Sequence, residues 1–254
     1  MKILSIEQKK RRRNLPLTAA VVLAAVVVTI IVAVFVWRGV DRIGTPEQIT
    51  IIVAWNPGSI ADDIVKTMEF GETQIVLQNV PGANGADGLN DVYRSPHNGE
   101  YLLSTSHSAF ESAWEMGFAE SDKDEWVQMM VAFSPTVIVV KSDSPYNEVS
   151  ELSDLIKADV SSGSNPAVNA LLSGEADYAE LLSVEVAARV NAGELRIIET
   201  LETGEQYGLF FVTDVSAKQS DTLKTLIESA TSGAEFTMFL EEKGLKACLV
   251  SLSE

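Results

Sequence analysis

The chain has 254 residues with 36 acidic and 19 basic side chains, a formal net charge of −17 and a hydrophobic fraction of 46%. Residues 39–254 alone carry 12 basic and 35 acidic side chains, a net charge of −23. Such an acidic surface repels nucleic acid and anionic lipid, so nucleic acid is excluded as a partner. A single cysteine, Cys248, excludes an intrachain disulfide.

The first feature along the chain is an uncharged stretch of 23 residues from Leu15 to Trp37, directly after a basic cluster at 9–13. At about 1.5 Å per residue it covers the ~30 Å hydrocarbon core of a bilayer, so we predict a transmembrane signal anchor at 15–37. The basic segment 1–14 is then cytoplasmic, and the later residues lie in the periplasm or on the cell surface. A cleavable signal peptide is the alternative, although no Ala-x-Ala site follows the apolar stretch.

After a linker at 38–48, apolar runs of strand length alternate with segments of helical pattern. We predict strands at 49–53, 75–77, 101–103, 137–140, 195–198 and 209–212, and helices at 62–70, 88–94, 148–157, 184–191, 222–231 and 235–243. This alternation predicts an α/β fold with mainly parallel sheets, in which loops gather at the carboxyl ends of the strands.

The first predicted strand runs into the turn Asn56-Pro57-Gly58-Ser59, which a helix follows. Free N–H groups and the helix dipole at such a turn favour a carboxylate or phosphate without any basic side chain. Any strand-to-helix turn of an α/β protein has the same features, so a purely structural role stays open.

The second informative block, Ile75 to Ser106, reads IVLQNVPGANGADGLNDVYRSPHNGEYLLSTS. It resembles the TctC or Bug family, the extracytoplasmic solute receptors of tripartite tricarboxylate transporters. That family shows a strand, an N-x-P-G-A-G-G loop, a Gly-containing helix and a D-G-Y-T-L-L strand in this order. Pro57, Gly58 and Asp62 also match the family's first-loop pattern P-G-G-x-x-D, with Ser59 in place of the second Gly.

Further matches follow in order, and together they cover most of 49–250. They are SPTVIVV from Ser134, AVNALLSGEAD from Ala167, VNAGELR from Val190 and YGLF from Tyr207. The resemblance implies a two-lobed fold like that of type II periplasmic binding proteins, with lobe 1 at about 49–133 plus 207–250 and lobe 2 at about 134–206. It also implies that the lobes close on a small di- or tricarboxylate, which integral membrane transporter subunits then receive.

The resemblance and the chemistry of the loops together give one set of candidate ligand-binding residues. They are Trp55, Asn56, Gly58, Ser59, Ile60, Asp62, Asn84, Thr105, Ser106 and Ser134. Loop amides and neutral hydroxyls can donate to a carboxylate or to bridging waters. Asp62 repels an anion, so we expect it to accept backbone N–H bonds and fix the loop. Trp55 either lines the ligand slot or belongs to the core.

The second lobe departs from the family layout. The family has a strand, an S-x-G-x-G-S loop, a long helix and another strand before the A-L-x-x-L-L segment, whereas only 160–166 stand there in this chain. A second shortening lies between Glu199 and Glu205. With one wall of the cleft thinned, the alternative is a degenerate receptor that serves as a cell-surface sensor or interaction module.

An enzyme is not expected. The two histidines, His97 and His107, stand in no metal-ligand pattern such as H-E-x-x-H, and the sequence has no G-x-S-x-G elbow or P-loop. We therefore predict no catalytic residue, no metal and no cofactor.

Overall fold

The computed structural model describes residues 45–161, 163–213 and 215–251. The predicted cytoplasmic segment, the predicted anchor at 15–37 and the first part of the linker lie outside these residues. Within the described ranges, no helix is long and apolar enough to cross a membrane. The described residues belong to one compact unit, Thr45–Glu254.

The described residues form one mixed sheet of seven strands. Its order is β2-β1-β3-β6-β4-β5, and β7 pairs with β4. The strands are β1 (Gln48–Val53), β2 (Gln74–Asn79), β3 (Tyr101–Ser106), β4 (Trp126–Lys141), β5 (Tyr178–Leu182), β6 (Leu195–Val212) and β7 (Lys246–Ser251).

Seven α-helices pack on this sheet within the same ranges. They are α1 (Ile60–Lys66), α2 (Ala86–Arg94), α3 (His107–Glu115), α4 (Ser164–Ser173), α5 (Ser183–Asn191), α6 (Ala217–Ala230) and α7 (Ala234–Glu242). Short 3-10 turns lie at Ala83–Gly85, Lys123–Glu125 and Val149–Leu152.

The prediction of mainly parallel sheets is wrong. Only the pairs of β1 with β2 and of β1 with β3 are parallel among the strands described, and the other four pairs are antiparallel. The error arises at β6, an 18-residue strand that the sequence divides into two short apolar runs. Its middle is largely exposed and polar, as an antiparallel strand with a solvated face can be, so hydrophobicity hides its continuity.

The pairing of β4 with β6 extends along nearly the full length of both strands. It extends from Trp126 opposite Val212 to Lys141 opposite Leu195, and register shifts interrupt it at three places. Two glycines of β6 lie tightly against β4. A Cβ at Gly204 would stand 2.1 Å from the Ser134 carbonyl oxygen, and one at Gly208 would stand 2.4 Å from the Met129 carbonyl oxygen.

Three hydrophobic cores are arranged along the sheet. In the first, α1, α6 and α7 pack on the face that carries Ile49 and Ile51. In the second, α2 and α3 pack on the opposite face, which carries Ile52, as the alternation of side chains along a strand requires. In the third, α4, α5 and β5 enclose Val137 and Val139 at the other end of β4. The lobe boundaries at 133/134 and 206/207 stay a prediction.

Most predicted elements are present, and the exceptions have a physical cause. The predicted helix at 148–157 is wrong, because the structure has only the 3-10 turn Val149–Leu152 there. Leu152 is the one side chain of that turn that is buried, and Ile156 is 62% exposed, so the segment has no apolar face that a helix could bury. The sequence analysis missed α3, α4, β5 and β7, which are short elements of 5 to 10 residues.

We predict that Gly208→Ala destabilises the protein, because the new methyl group would overlap the β4 backbone at the Met129 carbonyl. Overpacking of this kind costs about 1–3 kcal/mol. Chemical denaturation of the full-length protein measures the loss. Gly233→Ala is the matched control, since its Cβ would meet only the flexible side chain of Glu69, at 3.1 Å. An equal loss in both variants would contradict the prediction.

Candidate functional site

The candidate site lies at the carboxyl edge of the three strands that form the parallel part of the sheet. β1, β2 and β3 run in the same direction, so the loops that follow them leave from the same edge. The predicted ligand residues from Trp55 to Asn84 belong to the segment after β1, to the start of α1 or to the 3-10 turn after β2, and Thr105 and Ser106 are the last two residues of β3.

The loop after β1 is held by a buried carboxylate. Asp62 is fully buried, and its Oδ2 accepts the backbone N–H of Gly58 at 2.6 Å and also pairs with the Lys66 ammonium group. Ser59 caps α1, because its hydroxyl accepts the backbone N–H of Asp62 at 3.3 Å. The hydrogen bond expected between Asp62 and a loop amide is therefore present.

The same contacts set the charge state of Asp62. Burial acts to raise the pKa of the Asp62 carboxyl, but hydrogen bonds from Gly58, Lys66 and Asn79 outweigh it, and the pKa lies below its ordinary value of 3.8. Asp62 is thus ionised at neutral pH. Its charge is directed at Lys66 and the loop amide, so it fixes the loop while the exposed Asn56 and Gly58 lie at the surface.

Trp55 joins the loop after β1 to the end of β3. Its indole Nε1 donates to the Thr105 hydroxyl at 3.2 Å, and its carbonyl accepts the side-chain amide of Asn79 at 2.9 Å. The same Asn79 amide reaches Asp62 Oδ1 at 3.2 Å. Trp55 also packs against the second core, so it is part of both the loop and the core. Ile60 packs against the first core from the start of α1.

The loop after β2 approaches the same place through a strained turn. Asn84 has a φ of +54°, and its side-chain amide donates to the Ser112 hydroxyl of α3 at 2.9 Å. Gly85 follows with a φ of +96°, and a Cβ there would lie 3.6 Å from the Thr105 hydroxyl and 3.4 Å from the Ala54 side chain. Glycine at position 85 therefore allows the loop after β2 to lie close to Ala54 and to Thr105 of β3.

The end of β3 supplies buried hydroxyl groups. Thr105 and Ser106 are 2% and 8% exposed, and Ser106 caps α3 by accepting the backbone N–H of Ala109 at 3.3 Å. Tyr207 of β6 lies opposite Ser106 in the sheet. Burial, with the charges of Glu205 and Glu185, raises the pKa of the Tyr207 phenol to about 12, so the phenol stays protonated at neutral pH.

Ser134 is placed differently from the other predicted residues. It is fully buried in β4, where its hydroxyl accepts the Val184 backbone N–H at 3.2 Å and lies 3.1 Å from the Ser183 hydroxyl. Its side chain thus holds the start of α5 against the sheet. The structure does not bring it together with the three loops.

A cleft of about 390 Å³ lies beside the start of α3. Its lining comprises His107, Ser108, Phe133 and residues 202–206. Glu205 reaches across to α3: one carboxylate oxygen accepts the Ser108 backbone N–H at 3.0 Å, and the other accepts the Ser108 hydroxyl at 2.5 Å. A carboxylate of the chain itself therefore occupies the first turn of α3.

The sequence analysis missed three residues of this region, namely Asn79, Ser108 and Glu205. Asn79 opens the quoted N-x-P-G match, and its position at the end of a strand was the available signal. Ser108 directly follows the predicted Thr105-Ser106 pair and His107. For Glu205 the local sequence holds no signal, because only the register of β6 on β4 and β3 brings it to α3.

The described residues of the site do not form a metal centre. Among the described residues, no group of three or more His, Cys, Asp or Glu side chains could hold a metal ion. Burial raises the pKa of the Cys248 thiol, which favours its neutral form. The arrangement offers neutral N–H and O–H donors and two fixed carboxylates, which suits binding.

Comparison with known proteins gives a consistent result at the level of the fold. No protein-family model matches the chain, and no curated protein matches it either. Among solved structures, the TctC solute-binding protein of Polaromonas, without ligand, matches with a TM-score of 0.66 at 16% identity over 80% of this chain and 91% of that one. The chain has the fold of the TctC solute-binding proteins. The periplasmic-binding-protein-like α/β fold predicted from the resemblance is confirmed.

Two further solved structures with this TctC-like fold contain ligands. MatC from Rhodopseudomonas palustris with bound malate matches with a TM-score of 0.55 at 17% identity, over 78% of this chain and 89% of that one. Rpa4515 of R. palustris with adipate matches with a TM-score of 0.57 at 14% identity, over 80% and 89%. Malate and adipate are both dicarboxylates.

We predict that Asp62→Asn destabilises the first loop, because the new amide would place a donor against the Gly58 N–H and the Lys66 ammonium. Loss of a buried, charged acceptor costs about 1–3 kcal/mol. Asp63→Asn makes the same chemical change one residue further at a half-exposed position and serves as the control. Denaturant unfolding at pH 7 measures both variants, and equal losses would contradict the assigned role.

The lowered pKa of Asp62 makes the free energy of unfolding depend on pH. A depressed folded-state pKa contributes stability that is present above the ordinary value of 3.8 and is lost as the pH falls through the lowered pKa. We therefore expect the unfolding free energy of the unaltered protein to fall more steeply with acid than that of Asp62→Asn. Parallel curves for the two proteins would contradict the stated cause of the shift.

Proposed function

We propose that the protein is an extracytoplasmic solute-binding protein that captures a small di- or tricarboxylate for a transporter of the tripartite tricarboxylate type. The observation that carries the proposal is the convergence of the loops after β1 and β2 and the end of β3 at one sheet edge. There Trp55 is bonded to Thr105, and Gly85 lies close to Ala54 and Thr105. Two solved structures with the same fold contain malate or adipate, which supports a carboxylate as the ligand class.

The chemistry of the three loops supports the same ligand class. Backbone N–H groups around Gly58, Ser59 and Ile60 and the hydroxyls at the end of β3 are neutral donors, and a carboxylate with its hydration waters needs such donors. Asp62 directs its charge at Lys66 and the loop amide. The excess of acidic side chains on the protein opposes an anion only over short range, since the Debye length is about 8 Å at physiological salt.

A degenerate receptor without a transport role is the second candidate function, and two observations favour it. Ser134 is buried and bonded to the start of α5, so it leaves one predicted donor out of the site. The Glu205 carboxylate already accepts the backbone N–H and the hydroxyl of Ser108 in the first turn of α3. Such a protein would act on the cell surface as a sensor or interaction module.

Ligand binding by the full-length protein tests the proposal. We expect malate or adipate to raise its melting temperature, since a ligand at 100 times its dissociation constant adds about 2.7 kcal/mol of stability. Gly58→Pro should abolish the rise, because proline removes the N–H that Asp62 accepts and cannot adopt the φ of +81° found at Gly58.

Gly117→Pro is the matched control for this experiment. Gly117 also has a positive φ, +71°, and it also donates its N–H, at 3.0 Å to the Trp114 carbonyl, but it lies at the end of α3. The control should keep the ligand-induced rise. A cooperative melt without a rise for any carboxylate would reject the receptor and favour the degenerate interaction module.

We further propose that residues 15–37 tether the binding domain to the cell membrane with the amino terminus in the cytoplasm. The observation behind this is the length of the uncharged stretch and the basic cluster before it. The full-length protein should fractionate with membranes, and a variant without residues 1–37 should not. An intact mass that lacks the amino-terminal segment would instead demonstrate a cleaved signal peptide.

A further inference from the structure

The contact between Glu205 and Ser108 places an internal carboxylate at the candidate site. Both oxygens of Glu205 are used, one on the Ser108 backbone N–H and one on its hydroxyl. Ser108 is the second residue of α3, a helix of nine residues. Hydrogen bonds to an ionised acceptor are about twice as strong as neutral ones, and a helix start favours negative charge.

The cap of α3 leaves the Ser108 N–H for an acceptor outside the helix. The Ser106 hydroxyl accepts from Ala109, and its oxygen lies 3.3 Å from the Ser108 hydroxyl. Thr105 and Ser106, two of the predicted ligand residues, stand three and two residues before Ser108, whose donors Glu205 occupies. Within the cleft, the Glu205 carboxylate occupies both donors of Ser108, the backbone N–H and the hydroxyl.

Glu205 is held in this position by its strand. It pairs with Ser134 in the β4–β6 register, and the neighbouring Gly204 lies against the Ser134 carbonyl with no room for a Cβ. The backbone of β6 thus fixes the distance from Glu205 to α3. Release of Ser108 requires rotation of the Glu205 side chain within the cleft of about 390 Å³.

An unsatisfied polar atom belongs to a neighbouring residue of the same cleft. His107 lines it, and the Nδ1 atom of His107 is buried without a hydrogen-bond partner among the described residues. A buried polar atom of this kind costs free energy unless a ligand or water supplies a partner. The cleft therefore holds polar groups beyond those that Glu205 satisfies.

We propose that Glu205 is an internal competitor for the carboxylate of the ligand, so that the resting protein keeps the first turn of α3 closed to external anions. The inference rests on the proposed carboxylate-binding function and adds that Glu205 regulates the affinity of the site for its ligand. An external carboxylate binds Ser108 only when Glu205 leaves, and the Glu205 charge then still opposes it across the cleft. Affinity is therefore set by the internal contact as well as by the ligand.

The opposite role for Glu205 predicts a different result. If Glu205 were a ligand-contacting group that receives an ammonium from an amino-acid-like solute, removal of its charge would weaken binding. The bidentate contact favours competition, because both oxygens of Glu205 already bind Ser108.

Glu205→Gln in the full-length protein tests the inference, with acetate, malate and adipate as probes in isothermal titration. Glutamine keeps the shape and removes the charge, so we expect the dissociation constant of at least one probe to fall about tenfold or more. Glu205→Ala is the second variant and should act in the same direction. Circular dichroism and thermal melting of each variant check that it is folded.

Glu202→Gln is the matched control. Glu202 lines the same cleft on the same strand and is exposed, and its substitution changes the net charge by the same amount. A gain in affinity limited to the Glu205 variants supports the inference. An equal gain in Glu202→Gln would overturn it in favour of general charge repulsion, and weaker binding in Glu205→Gln would overturn it in favour of a ligand-contacting role.

Hydrogen–deuterium exchange of the peptide that contains Ser108 gives an independent readout. In Glu205→Gln the exchange should be faster, and malate or adipate should slow it again. Unchanged exchange, or faster exchange that no probe slows, would overturn the inference. If the unaltered protein binds malate through the Gly58 loop and Glu205→Gln binds it equally, the inference fails and the proposed function stands. If only Glu205→Gln binds, the inference stands and the receptor role of the resting chain fails.

Discussion

The pairing of β4 with β6 is the constraint on which the rest of the structure depends. This antiparallel pair continues from the two cores of the β1–β3 end to the third core at the other end. Two close glycine contacts, at Gly204 and Gly208, hold its register. A slip of one residue would turn every β6 side chain to the other face, so the same pairing fixes Tyr207 opposite Ser106 and Glu205 next to α3.

The parallel part of the sheet depends on a smaller network centred on Asp62. A charge that is fully buried is stable only when hydrogen bonds surround it, and Gly58, Lys66 and Asn79 supply them from a loop, a helix and a strand. This network sets the conformation of the loop after β1. Because Asn79 also binds the Trp55 carbonyl, it joins this loop to the second strand, and the Trp55 indole donates to Thr105.

The parts of the fold that local patterns determine could be predicted from the sequence. The six predicted strand segments lie within β1, β2, β3, β4 and β6. The loops at Pro57 and Pro81 follow the strands from which they were expected to start, whereas Thr105 lies within β3. Strand direction could not be predicted, because β6 crosses a polar and exposed stretch that resembles a loop. Glu205 could not be predicted for the same reason, since its contact with Ser108 joins residues 97 positions apart.

The second-lobe reduction that the sequence predicts and the internal carboxylate that we propose are connected by the free-energy cost of unsatisfied donors. A receptor with two full walls closes on its ligand and satisfies the donors at the helix start when the ligand is bound. If one wall is thin, as the sequence predicts, the lobes enclose a ligand less completely, and the Glu205 carboxylate of β6 satisfies the Ser108 N–H while no ligand is bound. The resting form gains stability in this way, while an external anion must replace a contact that the chain already makes. The stability of the site and its affinity for ligand therefore oppose each other at Glu205.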